Sequence, residues 1–268
     1  MYLLSDFIYF WLYRVFSYRK EVVLTNLRNS FPEKSEAEIQ KICRAFYSYF
    51  CDLILEVLKT LTISKASVRR HVTLGDTAVF EKHKDKSLVL VMGHFGNWEL
   101  AGARYSMEPI HQLYVVYHPL RNPYFDKLLY FMRTRSGTKL YTMKETKKAM
   151  VRDRGLRTAV AFIADQTPSH TKTYWTTFLN QDTPVFSGPE KIAKNLDYPV
   201  VYISMKRIKR GQYQLDFEEI FSDPQSAGEN EILELYTRRL EQDILERPET
   251  WVWTHRRWKH KREPNTTN

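Results

Sequence analysis

Five uninterrupted apolar residues, Leu88-Val89-Leu90-Val91-Met92, with Gly93 and Gly96 close behind, constrain this chain more than any other stretch. The run is short, valine-rich and lacks polar alternation, so it reads as a strand covered on both faces, with helices on either side of a sheet. The glycines end it. Asn97 can cap a helix that begins Trp98-Glu99-Leu100-Ala101, and Glu99 falls in its first turn, where a negative charge suits the helix dipole. His94 is thereby presented in a turn at a strand end.

His94 and Glu99 are five positions apart, about 500° of rotation at ~3.6 residues per turn, so on one continuous helix they would not face each other. A turn followed by a helix removes that obstacle. The expectation is a catalytic pair in which Glu99 holds the imidazole in one tautomer while His94 takes a proton from a hydroxyl. Gly93 and Gly96 would let the backbone approach a substrate and aim N–H groups at a developing oxyanion. The plainer alternative is a partly buried histidine bonded to a nearby carboxylate; strand, glycines, cap and glutamate together favour catalysis. No Gly-rich phosphate loop or zinc-type cluster is present in the sequence, so neither metal nor cofactor is expected.

The rest of the chain alternates strand and helix patterns. Ser35-Glu36-Ala37-Glu38 is a capping box that opens a long helix running to about Leu61. Strands are predicted near 88–92, 113–117, 158–164, 173–178, 199–205 and 213–218, and helices near 97–107, 123–135, 145–153, 188–196 and 229–246. This predicts an α/β fold, a mixed sheet flanked by helices, with active groups at strand ends. No linker divides the 268 residues. Cys43 and Cys51, eight apart in a helical pattern, are too far apart for a bridge, which suits a reducing compartment.

A formal charge of +10 implies an anionic partner: nucleic acid, an acidic lipid surface or an acidic protein. The segment Tyr2–Phe16 concentrates aromatic and aliphatic residues, yet it is shorter than the ~20 residues of a membrane span and contains Asp6 and Arg14. It is predicted to lie in a membrane surface, with Phe7, Phe10 and Trp11 in contact; an amphipathic core helix is the alternative. Residues 1–20 are thus read as an interfacial helix and 21–268 as the enzymatic domain. The C-terminal run His255–Arg262 carries five Lys/Arg residues, and Trp251, Trp253 and Trp258 suggest packing or membrane contact there.

Gly93-His94-Phe95-Gly96-Asn97-Trp98-Glu99 resembles the His-x-x-x-x-Glu block of the bacterial lipid A biosynthesis (late) acyltransferases, within the wider glycerolipid and lysophospholipid acyltransferase superfamily, where aspartate more often ends the block. Tyr117-His118-Pro119-Leu120-Arg121-Asn122-Pro123 is similar to the family's second block, with Arg121 as candidate anion clamp; its guanidinium could hold a phosphate bidentately. Ile163-Ala164-Asp165-Gln166 resembles an Asp-Gln block at another strand end, and Trp253-Thr254-His255-Arg256-Arg257-Trp258 a C-terminal signature. Together these matches run from about residue 20 to 262. The sequence FLNQDTPVFSG, Phe178–Gly188, departs from the Phe-Phe-Gly type run of many members, and the chain resembles one beginning late in the family's longer apolar N-terminal segment.

The resemblance implies a membrane-associated acyltransferase at the cytoplasmic face of the inner membrane. It implies transfer of a fatty acyl chain from acyl carrier protein to a hydroxyl of a lipid A precursor, with Asn97, Arg121, Asp165 and Gln166 as substrate contacts and Asp165 shaping the pocket. A lysophospholipid or aminoacyl lipid as acceptor, or acyl-CoA as donor, would keep the same chemistry. A nucleic-acid-binding protein is the remote alternative; no nucleic-acid motif is present, and an apolar N-terminal run has no use there.

Overall fold

The valine-rich run forms the strand its composition predicts, with all five residues buried, at the centre of a seven-stranded sheet. The computed structural model describes residues 1–108, 110–168 and 173–262; residues 263–268, the end of the expected 21–268 domain, lie outside the described residues. The chain order is α1 (Tyr2–Tyr9), a π-helical turn (Phe10–Val15), α2 (Lys20–Ser30), α3 (Glu36–Lys59), α4 (Lys65–His71), β1 (Val72–Leu74), α5 (Ala78–Lys82) and β2 (Leu88–Met92). Then come α6 (Trp98–Tyr105), β3 (Gln112–Tyr117), α7 (Pro123–Thr134), β4 (Lys139–Thr142), α8 (Thr146–Arg152) and β5 (Thr158–Ile163). β6 (Tyr174–Phe178), β7 (Gln181–Val185), α9 (Gly188–Leu196), β8 (Val200–Lys209), β9 (Gln212–Phe221) and α10 (Glu231–Glu246) complete it.

The sheet order is β1-β9-β8-β2-β5-β3-β4, with every neighbour parallel except the antiparallel pair β8–β9. This is the mixed α/β sheet the sequence predicts. Alternate residues of the central strands feed two cores. Val89, Val91, Val160 and Phe162 point to one side, against Leu27, Phe46, Ile192 and Leu233 of the α2, α3, α9 and α10 layer. Leu88, Leu90, Ala159 and Ala161 point to the other, against Val68, Phe80 and Leu100 of α4, α5 and α6. A strand buried on both faces cannot alternate with polar residues, which is why the run is continuous.

The capping box forms: Ser35 Oγ accepts from the Glu38 N–H, and the Glu38 carboxylate accepts from the Ser35 N–H at 2.9 Å. The N-terminal segment is helical through Val15 and turns its polar groups toward the protein. Ser5 Oγ donates to the buried Asp52 carboxylate at 2.6 Å, Tyr2 OH donates to Glu56 at 3.1 Å, and Arg210 pairs with both Asp6 and Asp52. Leu3, Phe7, Phe10 and Trp11 face outward, 88%, 61%, 53% and 41% exposed, while Tyr9, Leu12 and Tyr13 pack on the core. Among the described residues no helix is long and apolar enough to cross a membrane. The C-terminal tryptophans pack: Trp251 and Trp253 are buried, and Trp258 donates its indole N–H to Thr183 Oγ1 at 2.7 Å.

Candidate active site

Parallel strands β2 and β5 are hydrogen-bonded neighbours that end at the same sheet edge, and each hands a polar residue to the turn that follows. β2 delivers His94 and β5 delivers Asp165. The imidazole Nδ1 lies 2.6 Å from Asp165 Oδ1, while Asp165 Oδ2 accepts from the His94 backbone N–H at 2.7 Å and from the Trp251 indole N–H at 2.8 Å. With Nδ1–H given to the carboxylate, Nε2 keeps its lone pair, and the Trp98 indole meets the ring edge-on at 5.0 Å between centroids. The His94 side chain is 20% exposed and that of Asp165 3%.

Burial alone would raise the Asp165 pKa, but the positive charge of His94 and the hydrogen bonds from His94 and Trp251 outweigh it and hold the carboxyl down at about 2. A carboxyl depressed in the folded state contributes stability that is fully present above its unfolded value, near 4, and is lost as pH falls through its folded value. The stability difference between the parent and Asp165→Asn should therefore shrink as pH falls from about 4 toward 2, as urea titrations at stepped pH would read. A difference that grows on acidification would contradict the charge-stabilised pair. Nearby, burial pushes the His255 imidazole down to about 4 and the Arg257 guanidinium down to about 10, against the opposing pull of Asp165.

Glu99 does not hold His94. Its carboxylate forks onto Arg133 of α7, with Oε1 to Nη2 at 2.6 Å and Nε at 3.2 and 3.1 Å from the two oxygens. Five residues of turn and helix carry Glu99 onto the α6 face that meets α7, while the adjacent strand brings Asp165 to the imidazole instead. The partner expected from local sequence is thus replaced by one seventy-one positions away. Burial lowers the Arg133 pKa, but the hydrogen bonds and charge of Glu99 more than reverse this. Glu99→Ala and Arg133→Met should each cost about 1–3 kcal/mol, because each strands a largely buried charge, and the double variant should cost less than their sum. Additive losses in urea unfolding would show that the two do not act as a pair.

The other anticipated residues separate into those that build the turn and those that face outward. Gly93 lies where an added Cβ would sit 2.7 Å from a Leu240 methyl and 3.2 Å from Asp165 Oδ2, so its lack of a side chain admits the carboxylate. The Gly96 N–H, expected to serve an oxyanion, instead donates to the Thr250 carbonyl at 3.0 Å. Asn97 is fully buried, with Oδ1 capping Leu100 N–H at 3.1 Å and Nδ2 donating to Glu56 at 2.9 Å; both ends of its amide serve the fold. Gln166 is exposed, its side-chain amide 3.4 Å from His94 Nε2. Arg121 is exposed in the loop before α7, with no ion-pair partner among the described residues.

Beside Trp98 lies a narrow, mainly apolar cleft with about 50 Å³ of enclosed space. Met92, Leu113, Ala161 and Ile163 of the sheet form its floor, small residues Ala101 and Gly102 of α6 leave its room, and the Glu99–Arg133 pair stands in its wall. Apolar lining with a few charged groups is the usual character of a small-molecule site. Sequence reasoning assigned Trp251 to packing or membrane contact and did not connect it to this centre. The available signal for Asp165 was that its block, like that of His94, ends an apolar strand.

A strand-end imidazole held by a buried carboxylate beside an apolar cleft suits proton abstraction from a hydroxyl during acyl transfer. No individual curated protein matches the chain. The family described as bacterial lipid A biosynthesis acyltransferase matches residues 2–260, so the chain belongs to that acyltransferase family.

Proposed function

We propose that this enzyme transfers a fatty acyl chain from an acyl thioester of acyl carrier protein to a hydroxyl of a lipid A precursor at the cytoplasmic face of the inner membrane. The 2.6 Å contact between His94 Nδ1 and Asp165 carries the reading. Asp165 fixes the tautomer, and His94 Nε2 takes the acceptor hydroxyl proton as the oxygen attacks the thioester carbonyl. The tetrahedral intermediate then collapses, the C–S bond breaks, and the leaving thiolate takes the proton back from the imidazolium. With the Gly96 N–H engaged by Thr250, the exposed Gln166 amide beside Nε2 is the side chain in position to donate to the oxyanion.

The apolar cleft lined by Trp98, whose indole packs edge-on against His94, supports a place near the base for the start of the acyl tail. The outward Phe7, Phe10 and Trp11 support docking of the N-terminal helix on the bilayer that holds the acceptor. The +10 charge suits an acidic carrier protein, and the exposed Arg121 suits a phosphate of either substrate. The test is an assay of the full chain with carrier-protein and CoA thioesters against a lipid A precursor, a lysophospholipid and an aminoacyl lipid, products being weighed by mass spectrometry. Acylation of the lipid A precursor from the carrier protein is expected. Transfer only from CoA, or only to another lipid, would replace donor or acceptor, and no transfer by folded, vesicle-bound protein would overturn the reading.

A further inference from the structure

Helix α7 rests on the molecule along one narrow face and turns the other to solvent. Of its twelve residues only Met132 is buried, while Tyr124 is 81%, Phe125 60% and Phe131 56% exposed. A water-facing helix does not ordinarily hold three large aromatic side chains outward, and such clustering marks a contact surface. The helix is nevertheless well made: Asn122 Oδ1 caps the Tyr124 and Phe125 N–H groups, and Pro123 occupies its first position. Its exposed face is therefore a property of an ordered element.

The surroundings of α7 are basic. Arg121 and Lys127 flank the aromatic residues, and the Met143 N–H, donating to the Tyr117 carbonyl at 2.9 Å, brings Lys144 to the same end of β3, with Lys147 one turn on. These four cations are exposed, and none has an ion-pair partner among the described residues. The two nearby carboxylates are engaged locally, Asp126 by the Leu120 N–H at 2.8 Å and Glu145 by Thr142 Oγ1 at 2.9 Å. The surface lies where β3 and β4 end, on the sheet edge at which β2 and β5 present His94 and Asp165. Arg135, at the end of α7, donates to the Thr60 and Ile63 carbonyls, which fixes the helix beside the end of α3.

From exposed aromatic residues surrounded by unpaired cations we infer that α7 is a second membrane-docking element, which seats the carboxyl edge of the sheet on an anionic lipid surface. The aromatic side chains enter the headgroup region and the lysines meet the lipid phosphates. An acidic protein would be met by the same cations, but the outward Phe7, Phe10 and Trp11 of the N-terminal segment already suit a bilayer, and a second aromatic and basic element on the same chain favours the lipid surface. The N-terminal helix and α7 then hold the enzyme at two places, and α7 carries both Arg133 in the cleft wall and the apolar contact outside it. The inference adds orientation to the proposed function and rests on that reading only for the presence of a lipid acceptor.

Because Cys43 and Cys51 are both buried, a cysteine placed at Phe125 offers a single surface thiol for an environment-sensitive fluorophore. On vesicles containing phosphatidylglycerol its emission should shift to the blue and be quenched by spin-labelled lipid. A label at Lys84→Cys, before the other end of β2, should stay in water. Phe125→Ser with Phe131→Ser should lower partition onto those vesicles about tenfold without lowering the unfolding temperature, since neither side chain is part of a core. Lys127→Glu with Lys144→Glu should abolish the preference for phosphatidylglycerol over phosphatidylcholine. A Phe125 label that remains in water on vesicle-bound protein, or serine variants that partition like the parent, would overturn the inference. Loss of carrier-protein binding by the glutamate variants with vesicle binding intact would assign the surface to an acidic protein instead. Acyl transfer to a detergent-dispersed acceptor is read separately, so its loss in the parent would count against the proposed function and not against α7.

Discussion

His94→Ala is expected to lower turnover by about 10²–10⁴-fold in a protein that remains folded, because a positioned general base supplies about that factor. Asp165→Asn should cost a comparable amount for a different reason. It preserves the volume at a site only 3% exposed, yet it removes the charge that favours the imidazolium and can place an N–H against Nδ1. The double variant should be little slower than His94→Ala alone, since an orienting residue has nothing to orient once the base is gone. Glu99 offers the contrast. Its carboxylate is engaged by Arg133, so Glu99→Ala combined with His94→Ala should lower activity or stability close to additively. Single-turnover kinetics on the three single and two double variants, with circular dichroism as a check on folding, decides between the partners. Near-normal turnover of folded His94→Ala would overturn the mechanism, and non-additivity with Glu99 in place of Asp165 would return the carboxylate role to the local motif.

The contrast between Glu99 and Asp165 also shows what a one-dimensional pattern carries. The strand Leu88–Met92, the glycines after it, the Asn97 cap and the Ser35 capping box are local events whose causes lie within a few residues, and each forms where its sequence predicts. Which carboxylate reaches an imidazole is decided by strand order. The β2–β5 adjacency sets Asp165 beside His94, and nothing in the spacing of either block encodes it. Elements without a local signature were missed for a related reason. β1 and β4 have three and four residues, too few for a period to register. α2 begins after Arg19, which has a left-handed backbone and no side-chain cap, so the usual start signal is absent. The outward aromatic residues of α1 were legible because the run is dense, whereas those of α7 lie in a helix whose pattern also fits a buried face. Only the packing separates the two cases.

Gly96→Ala is expected to destabilise the protein by about 3 kcal/mol or more and to reduce turnover even in the fraction that folds. Two independent costs meet at this residue. Its φ of +60° lies in the left-handed region that side chains with a Cβ rarely adopt, and an added Cβ would sit 1.9 Å from the Met205 carbonyl oxygen, far inside contact distance. The obstacle is backbone of β8, so no side-chain rotation relieves it. Nor is the turn free to withdraw, since the Gly96 N–H donates to Thr250 and its carbonyl accepts from Tyr49 OH at 2.7 Å. Displacing it moves His94, two residues earlier, away from the carboxylate that β5 holds in place. Gly102 supplies the control, because an added Cβ there meets nothing nearer than a Leu113 methyl at 4.0 Å and the residue lies inside α6. Gly102→Ala should raise stability by about 0.5–1 kcal/mol through helix propensity while taking room from the cleft, so its effect should fall on long acyl donors more than on short ones. Denaturant unfolding of both variants, with turnover on two acyl lengths, measures the contrast. Equal stability of Gly96→Ala and the parent would show that the turn can open without disturbing β8, and the claim that this glycine sets the position of His94 would then fail.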